Sequence, residues 1–219
     1  TGPAPITYMA AIRLPMVAQY AFAFGFFKLT NYVLFFWLPF FLSTVFDNVT
    51  ANLIASLYSV GMMPGGIIVG YVSDLFGGRR AVVIGTFMAT LVVFLAFFAK
   101  FSENGDMNPI LLLVMLGCMG ILVGGPNNII TSAVAADLAS HPSVRGSNKS
   151  LGTVTGLING CGSITASVGL LVVNPLTVAY GWSAVWIFLI ACTITGTALM
   201  GTKIYSELFP APRTESVTV

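Results

Sequence analysis

Gly70-Tyr71-Val72-Ser73-Asp74-Leu75-Phe76-Gly77-Gly78-Arg79-Arg80 decides the fold. An acid, two glycines and two arginines are crowded into a short turn, and the sequence on either side is apolar for the length of a membrane crossing. Residues 50–73 precede the turn and residues 81–99 follow it. A bilayer span needs about 20 predominantly apolar residues, so the turn joins two spans. The same measure applied outward finds four more apolar stretches, at about 16–43, 109–136, 150–174 and 182–203. The polar breaks between them are short, and none holds a soluble domain. The expected fold is an all-α membrane protein with a six-helix transmembrane bundle over residues 16–205. Residues 1–15 form a lead-in or linker and residues 206–219 a tail.

Composition agrees. Only 7% of the 219 residues are charged, 57% are hydrophobic, and the mean hydropathy is +0.93; a soluble domain carries about 25% charged residues. A net charge of +2, spread along the chain, gives no basic stripe for nucleic acid. Cys118, Cys161 and Cys192 lie in apolar segments without metal-ligand or redox spacing and read as small packing residues. No nucleophile–base pair or metal-ligand set occurs at usable spacing, so neither an enzyme nor a cofactor is expected.

Sidedness follows from Lys and Arg placement. With the N-terminus in the cytoplasm, Arg13, Arg79, Arg80, Arg145, Lys149, Lys203 and Arg213 fall inside and Lys100 alone falls outside. Both termini are then cytoplasmic. The chain starts Thr1-Gly2-Pro3-Ala4-Pro5 without an initiator methionine, which reads as an interior start.

One charge remains inside a span. Lys28 lies near the middle of the first, and Asn31 and Tyr32 stand three and four residues later on the same helical face. A lysine at a bilayer centre costs about 2.5–3.5 kcal/mol on insertion scales, so it faces a partner or a wet cavity and marks a candidate anion site. The fourth span carries a second polar cluster, Gly124-Gly125-Pro126-Asn127-Asn128-Ile129-Ile130-Thr131-Ser132. Pro126 withholds a donor from the Leu122 carbonyl, so a kink is expected there. Amides at membrane depth belong against protein or water. Gly61-xxx-Gly65, Gly66-xxx-Gly70 and Gly152-xxx-Gly156-xxx-Gly160 have the spacing of close helix contacts. Polar clusters in spans one and four, with glycine ladders in spans two and five, suggest a three-plus-three inverted repeat. No Asp or Glu lies mid-span, which argues against proton coupling through these helices. Trp182 and Trp186 open the sixth span and fit an interfacial anchor.

The Gly70–Arg80 turn resembles the signature loop of the major facilitator superfamily: glycine, aspartate four later, glycine three later, then basic residues. The resemblance makes Gly70, Asp74, Gly77, Arg79 and Arg80 a gating motif, with Asp74 facing a neighbouring helix N-terminus and the arginines satisfying carbonyls or carboxylates. Leu75 and Gly78 depart from the pattern. Asp137 to His141, Arg145 to Ser163 and Trp37-Leu38-Pro39 sharpen this to a resemblance to the sugar-phosphate exchangers, solute carrier family 37. It runs through most of residues 13–205 and corresponds to the C-terminal six helices of a twelve-helix transporter.

That resemblance implies exchange of an organic phosphate, such as a sugar phosphate, for inorganic phosphate by alternating access, often in the endoplasmic reticulum. An N-terminal six-helix half, in the same chain or a separate one, would be the partner. Lys28 matches the family's lysine; bacterial relatives carry an arginine about one turn later, near Asn31. Asn127 and Asn159 stand where the family often has tyrosine and aspartate. Lys28 would attract the dianion, with Asn31, Tyr32, Asn127, Asn128 and Thr131 shaping the site. Two other readings are a half-transporter serving as a structural subunit of a membrane complex, and a facilitator for another solute.

Overall fold

A computed structural model describes residues 7–103, 108–140 and 150–209. After a short helix α1 (Tyr8–Ile12), the chain is helical nearly throughout: α2 (Val17–Leu42), α3 (Asn48–Leu75), α4 (Arg80–Glu103), α5 (Pro109–Ile129), a π-helical turn (Ile130–Val134), α6 (Ala135–Ala139), α7 (Ser150–Leu199) and α8 (Gly201–Leu208). Helices are the expected solution where no water is present to satisfy backbone groups. Five stretches are long and apolar enough to cross a membrane, the fourth running from Pro109 to Ala139 through the π turn.

The fifth stretch is where the expected count of six meets a single continuous element. The sequence places a break between Asn174 and Gly181, yet α7 runs unbroken through Pro175 and is interrupted only at Gly181, with φ 75° and ψ −175°. Fifty residues of helix would measure about 75 Å, against a hydrocarbon core of about 30 Å. The two arms do not continue in line. At one depth of α2, Gly25 abuts Thr165 and Gly169 abuts Leu29; at nearly the same depth, Thr30 shares a 3.2 Å hydroxyl contact with Thr193, and Gly196 abuts Phe27. Both arms therefore lie along α2, and the chain reverses at Gly181.

Capping follows the sequence. Asp47 accepts the Val49 and Thr50 N–H groups at 3.1 Å and starts α3. Asn108 does the same for Ile110 and Leu111, with Pro109 in the first turn, where its missing N–H costs nothing. Donation from Thr50, through its side chain and its N–H, and from the Val49 N–H holds the Asp47 carboxyl below its ordinary range. A depressed folded value means that this cap contributes fully above the unfolded value and is lost as pH falls through the folded one. In acid thermal melts, Asp47→Asn should flatten that slope while keeping the cap; an unchanged slope would remove Asp47 as its source.

α3 and α5 approach backbone to backbone. A Cβ on Gly61 would sit 2.2 Å from the Gly117 carbonyl oxygen, one on Gly65 2.6 Å from that of Ile121, and one on Gly120 2.1 Å from that of Tyr58. The Gly61/Gly65 spacing is thus a backbone-to-backbone seam. The other two ladders are not: a Cβ at Gly70, Gly152, Gly156 or Gly160 would meet nothing within 4 Å, and Gly66 meets only the Asn128 side chain. On α7 the glycines that do pack are Gly162, against Phe24, Gly169, against Leu29, and Gly196, against Phe27. Spacing alone did not separate these two faces of the helix.

The kink expected at Pro126 is displaced. Gly124 and Gly125 are pressed against the Met62 and Gly65 backbone of α3, which keeps α5 regular as far as Ile129. The register slips only afterwards, where the Ala135 N–H reaches back to Ile130 O.

At the end away from Arg80, Phe41, Phe98, Trp182 and Trp186 form an aromatic cluster, with edge contacts of 5.0 Å from Trp186 to both phenylalanines. Trp186 is 1% exposed. It is a core residue, and the half-buried Trp182 stacks on it at 5.9 Å.

Candidate functional site

Lys28 is 8% exposed in the middle of α2. Its ammonium donates to Asn159 Oδ1 at 2.6 Å and to Ser163 Oγ at 2.8 Å, with the Asn159 carbonyl at 3.5 Å. The Phe24 and Tyr32 rings face it at 5.5 and 5.4 Å, a cation–π pair that offsets part of the burial cost. None of these partners is an acid. Among the described residues, the ion pairs are Arg80–Asp137 and Lys203–Glu207, neither of which involves Lys28. The Lys28 charge is therefore held but not neutralised.

The other predicted site residues fall into two groups. Tyr32 stands beside the ammonium. Asn31, one helical step away, accepts a 2.8 Å hydrogen bond from the Tyr58 hydroxyl, itself buried in α3. This bond ties α2 to the α3–α5 seam. Asn127, Asn128 and Thr131 lie on α5 and its π turn, and no hydrogen bond among the described residues joins them to Lys28. Asn127 donates through Nδ2 to Val123 O at 3.0 Å, while its Oδ1 is buried without a partner. Asn128 is exposed, its amide beside Gly66. Thr131 and Ser132 bond back onto the Asn127 and Asn128 carbonyls, a habit that bends helices. The cluster thus lines a deformable segment.

Sequence reading left Asn159 and Ser163 out of the site. A signal was present. Asn159 and Ser163 are four apart, so they present two polar side chains to one point beside the helix.

The turn after α3 shows why its glycines are there. The Gly77 N–H bonds to Asp74 O at 3.0 Å and the Gly78 N–H to Ser73 O at 2.9 Å, with φ of 66° and 77°. This is a helix end closed through left-handed residues, which only glycine adopts freely. Gly78, a departure from the family pattern, is required by its own backbone. Arg80 donates to the Ala133 carbonyl and to Asp137. Asp74 is exposed and has no side-chain partner among the described residues. Arg79 is likewise exposed. Arg145 and Lys149, either of which the sequence allows beside Asp137 at the helix end, and the loop residue His141 lie outside the described residues.

Arg80 and Asp137 border a cavity of about 350 Å³ with Tyr20, Lys203 and Glu207. Glu207 accepts the Val82 N–H at 3.1 Å, and Gln19 donates to Thr202 at 2.8 Å. α8 is thereby clipped to α4 and α2. Asp137 is largely exposed, so a double-mutant cycle of Arg80→Ala and Asp137→Ala should give a coupling of at most about 1 kcal/mol. Arg80→Ala alone should cost more, because the Ala133 carbonyl also loses its donor. Equal single-mutant losses would place all of the effect in the ion pair.

The family model for the Major Facilitator Superfamily matches residues 16–218. The chain belongs to the major facilitator superfamily. It is 36% identical over 208 residues to "Glucose-6-phosphate exchanger SLC37A2" of Danio rerio, covering 93% of this chain and 40% of the relative. Against "Sugar phosphate exchanger 3" of Mus musculus, identity is 36% over 194 residues, covering 86% of this chain and 38% of the relative. The SLC37A2 protein of Xenopus laevis is 34% identical over 208 residues. The chain spans about two fifths of the length of these relatives. It is a multi-pass membrane protein of a transporter superfamily, related to sugar-phosphate exchangers.

Proposed function

We propose that this chain forms a six-span half of a secondary transporter that exchanges a sugar phosphate for inorganic phosphate by alternating access. The sixth span comes from the reversal at Gly181, which divides α7 into two arms along α2. In this reading α2 is the seventh helix of the whole transporter and α5 the tenth, both lining a central path. Lys28 supplies one positive charge to the phosphate. Asn31 and Tyr32, and across the path Asn127, Asn128 and Thr131, shape the remainder, and a second six-helix half completes the site. Gly70, Asp74, Gly77, Arg79 and Arg80 form the gating turn. Both termini are cytoplasmic, and the membrane is that of the endoplasmic reticulum.

The observation that carries this reading is the Lys28 ammonium, buried mid-span and met only by neutral oxygens and ring faces. A charge kept unpaired in a membrane helix is expensive unless it is used. The relatives' names supply the class of anion. The test is counterflow in vesicles reconstituted with the full-length protein and loaded with phosphate. External glucose 6-phosphate should drive phosphate out, and unphosphorylated glucose should not. Efflux that is indifferent to the phosphoryl group would overturn the assignment.

A further inference from the structure

We propose that Tyr58 fixes the Asn31 amide so that its N–H groups, and not its oxygen, face the path and bind the phosphoryl group beside Lys28. This rests on the reading of Lys28 as a phosphate-binding cation, and adds a second donor and the positioning residue that orients it. An asparagine amide carries an oxygen at one end and an NH2 group at the other, and either end can point toward a ligand. The oxygens of a phosphoryl group are met only by the NH2 end; the oxygen end would repel them.

The phenol decides the orientation. Tyr58 is 1% exposed, and among the described residues its hydroxyl has one partner, Asn31 Oδ1 at 2.8 Å. Turning the amide over would set the NH2 group against that hydroxyl and leave a buried phenol proton without an acceptor, which is costly. The Asn31 NH2 group is thus held on the side away from Tyr58, where no acceptor among the described residues takes its N–H groups. Nor is it sealed in. The buried side-chain polar atoms that lack a partner are Ser73 Oγ, Asn127 Oδ1 and Trp186 Nε1, and Asn31 itself is only half-buried. Three residues earlier on the same face, the Lys28 ammonium stands 5.4 Å from the Tyr32 ring, beside the turn that carries Asn31. A phosphoryl group drawn to the ammonium therefore arrives next to two N–H donors that are still unused.

The experiment measures exchange in vesicles containing the full-length protein, reading KM and the maximal rate for inorganic phosphate and for glucose 6-phosphate. Asn31→Leu should raise both KM values about tenfold or more, the range for losing a hydrogen bond to a charged group. Asn31→Ala removes the same groups if Asn31→Leu does not fold. Tyr58→Phe keeps the ring and should raise both KM values about threefold or more at an unchanged maximal rate, because the amide is no longer held in place. In the Asn31→Leu background, Tyr58→Phe should change neither KM further, since its effect passes through the amide. A KM effect that persists in that background, or a fall in maximal rate alone, would make Tyr58 a packing residue and overturn the inference. So would an unchanged KM in Tyr58→Phe, or a rise confined to glucose 6-phosphate, which would put the amide at the sugar. In each of these cases, loss of exchange in Lys28→Met leaves the phosphate reading standing. Full exchange by Lys28→Met would remove both.

Discussion

Replacing Lys28 with methionine should abolish phosphate exchange and, in the same preparation, raise thermal stability. The two effects have opposite signs because the lysine is a cost to folding and an asset to binding. A mid-span lysine costs about 2.5–3.5 kcal/mol on insertion scales. Two hydrogen bonds to neutral oxygens and two ring faces return part of this, leaving a net gain of about 1–2 kcal/mol when an apolar chain of similar volume takes its place. Ser163 and Asn159 remain bonded to each other, so the substitution orphans little. On the binding side, loss of a desolvated charge contact costs about 2–5 kcal/mol, which is roughly 30-fold to several thousand-fold in affinity. Lys28→Arg keeps the charge but exchanges a point donor for a planar fork that the two oxygens of α7 do not match. It should transport weakly. A Lys28→Met protein that melts lower and still exchanges phosphate would make Lys28 a structural residue.

How far the sequence carries this picture depends on what kind of information each feature needs. The apolar runs place most of the helices directly, because lipid leaves the backbone no other choice and the required length is set by the bilayer. Lys28 was legible because its position is anomalous on energetic grounds alone. Its partners were not. Asn159 is 131 residues away in the chain, and only the packing of α7 along α2 brings it within reach. The same limit explains the glycines. Gly61 and Gly152 sit in equally regular ladders, and whether a ladder faces a helix or an open surface depends on the tertiary arrangement. Pro126 shows a third case, in which local chemistry was read correctly but tertiary contact prevailed: the α3 seam holds the helix regular past the proline, and the strain emerges at Ile130–Val134.

The π turn and the Asn31–Tyr58 bond together suggest why the two polar groups lie on different helix pairs. Lys28 is set by α2 and α7, and the Asn127–Thr131 segment by α3 and α5. The Tyr58 hydroxyl reaches between the pairs. Movement of the α3–α5 seam would reach the Lys28 face through that bond.

Gly120→Ala gives the second large effect, because it acts on that seam. The added methyl would sit 2.1 Å from Tyr58 O and 3.0 Å from Met62 N. Both are backbone atoms, so no side-chain rotation relieves the clash, and α3 and α5 must separate over their contact length. Overpacking of this kind costs about 1–3 kcal/mol, occasionally more, and parting the helices forfeits further dispersion along Gly61, Gly65 and Gly124. Gly117→Ala is the matched control. It lies in the same helix one turn earlier, its Cβ would meet nothing within 4 Å, and it should gain up to about 1 kcal/mol from helix propensity. Melting curves of the two variants in detergent should therefore move in opposite directions. Because the clash displaces the residue whose hydroxyl holds Asn31, Gly120→Ala should also weaken phosphate exchange in molecules that remain folded, an effect that Gly117→Ala should lack. If the two variants melt together, the seam is not the close contact described, and the coupling between Tyr58 and the Lys28 face loses its mechanical basis.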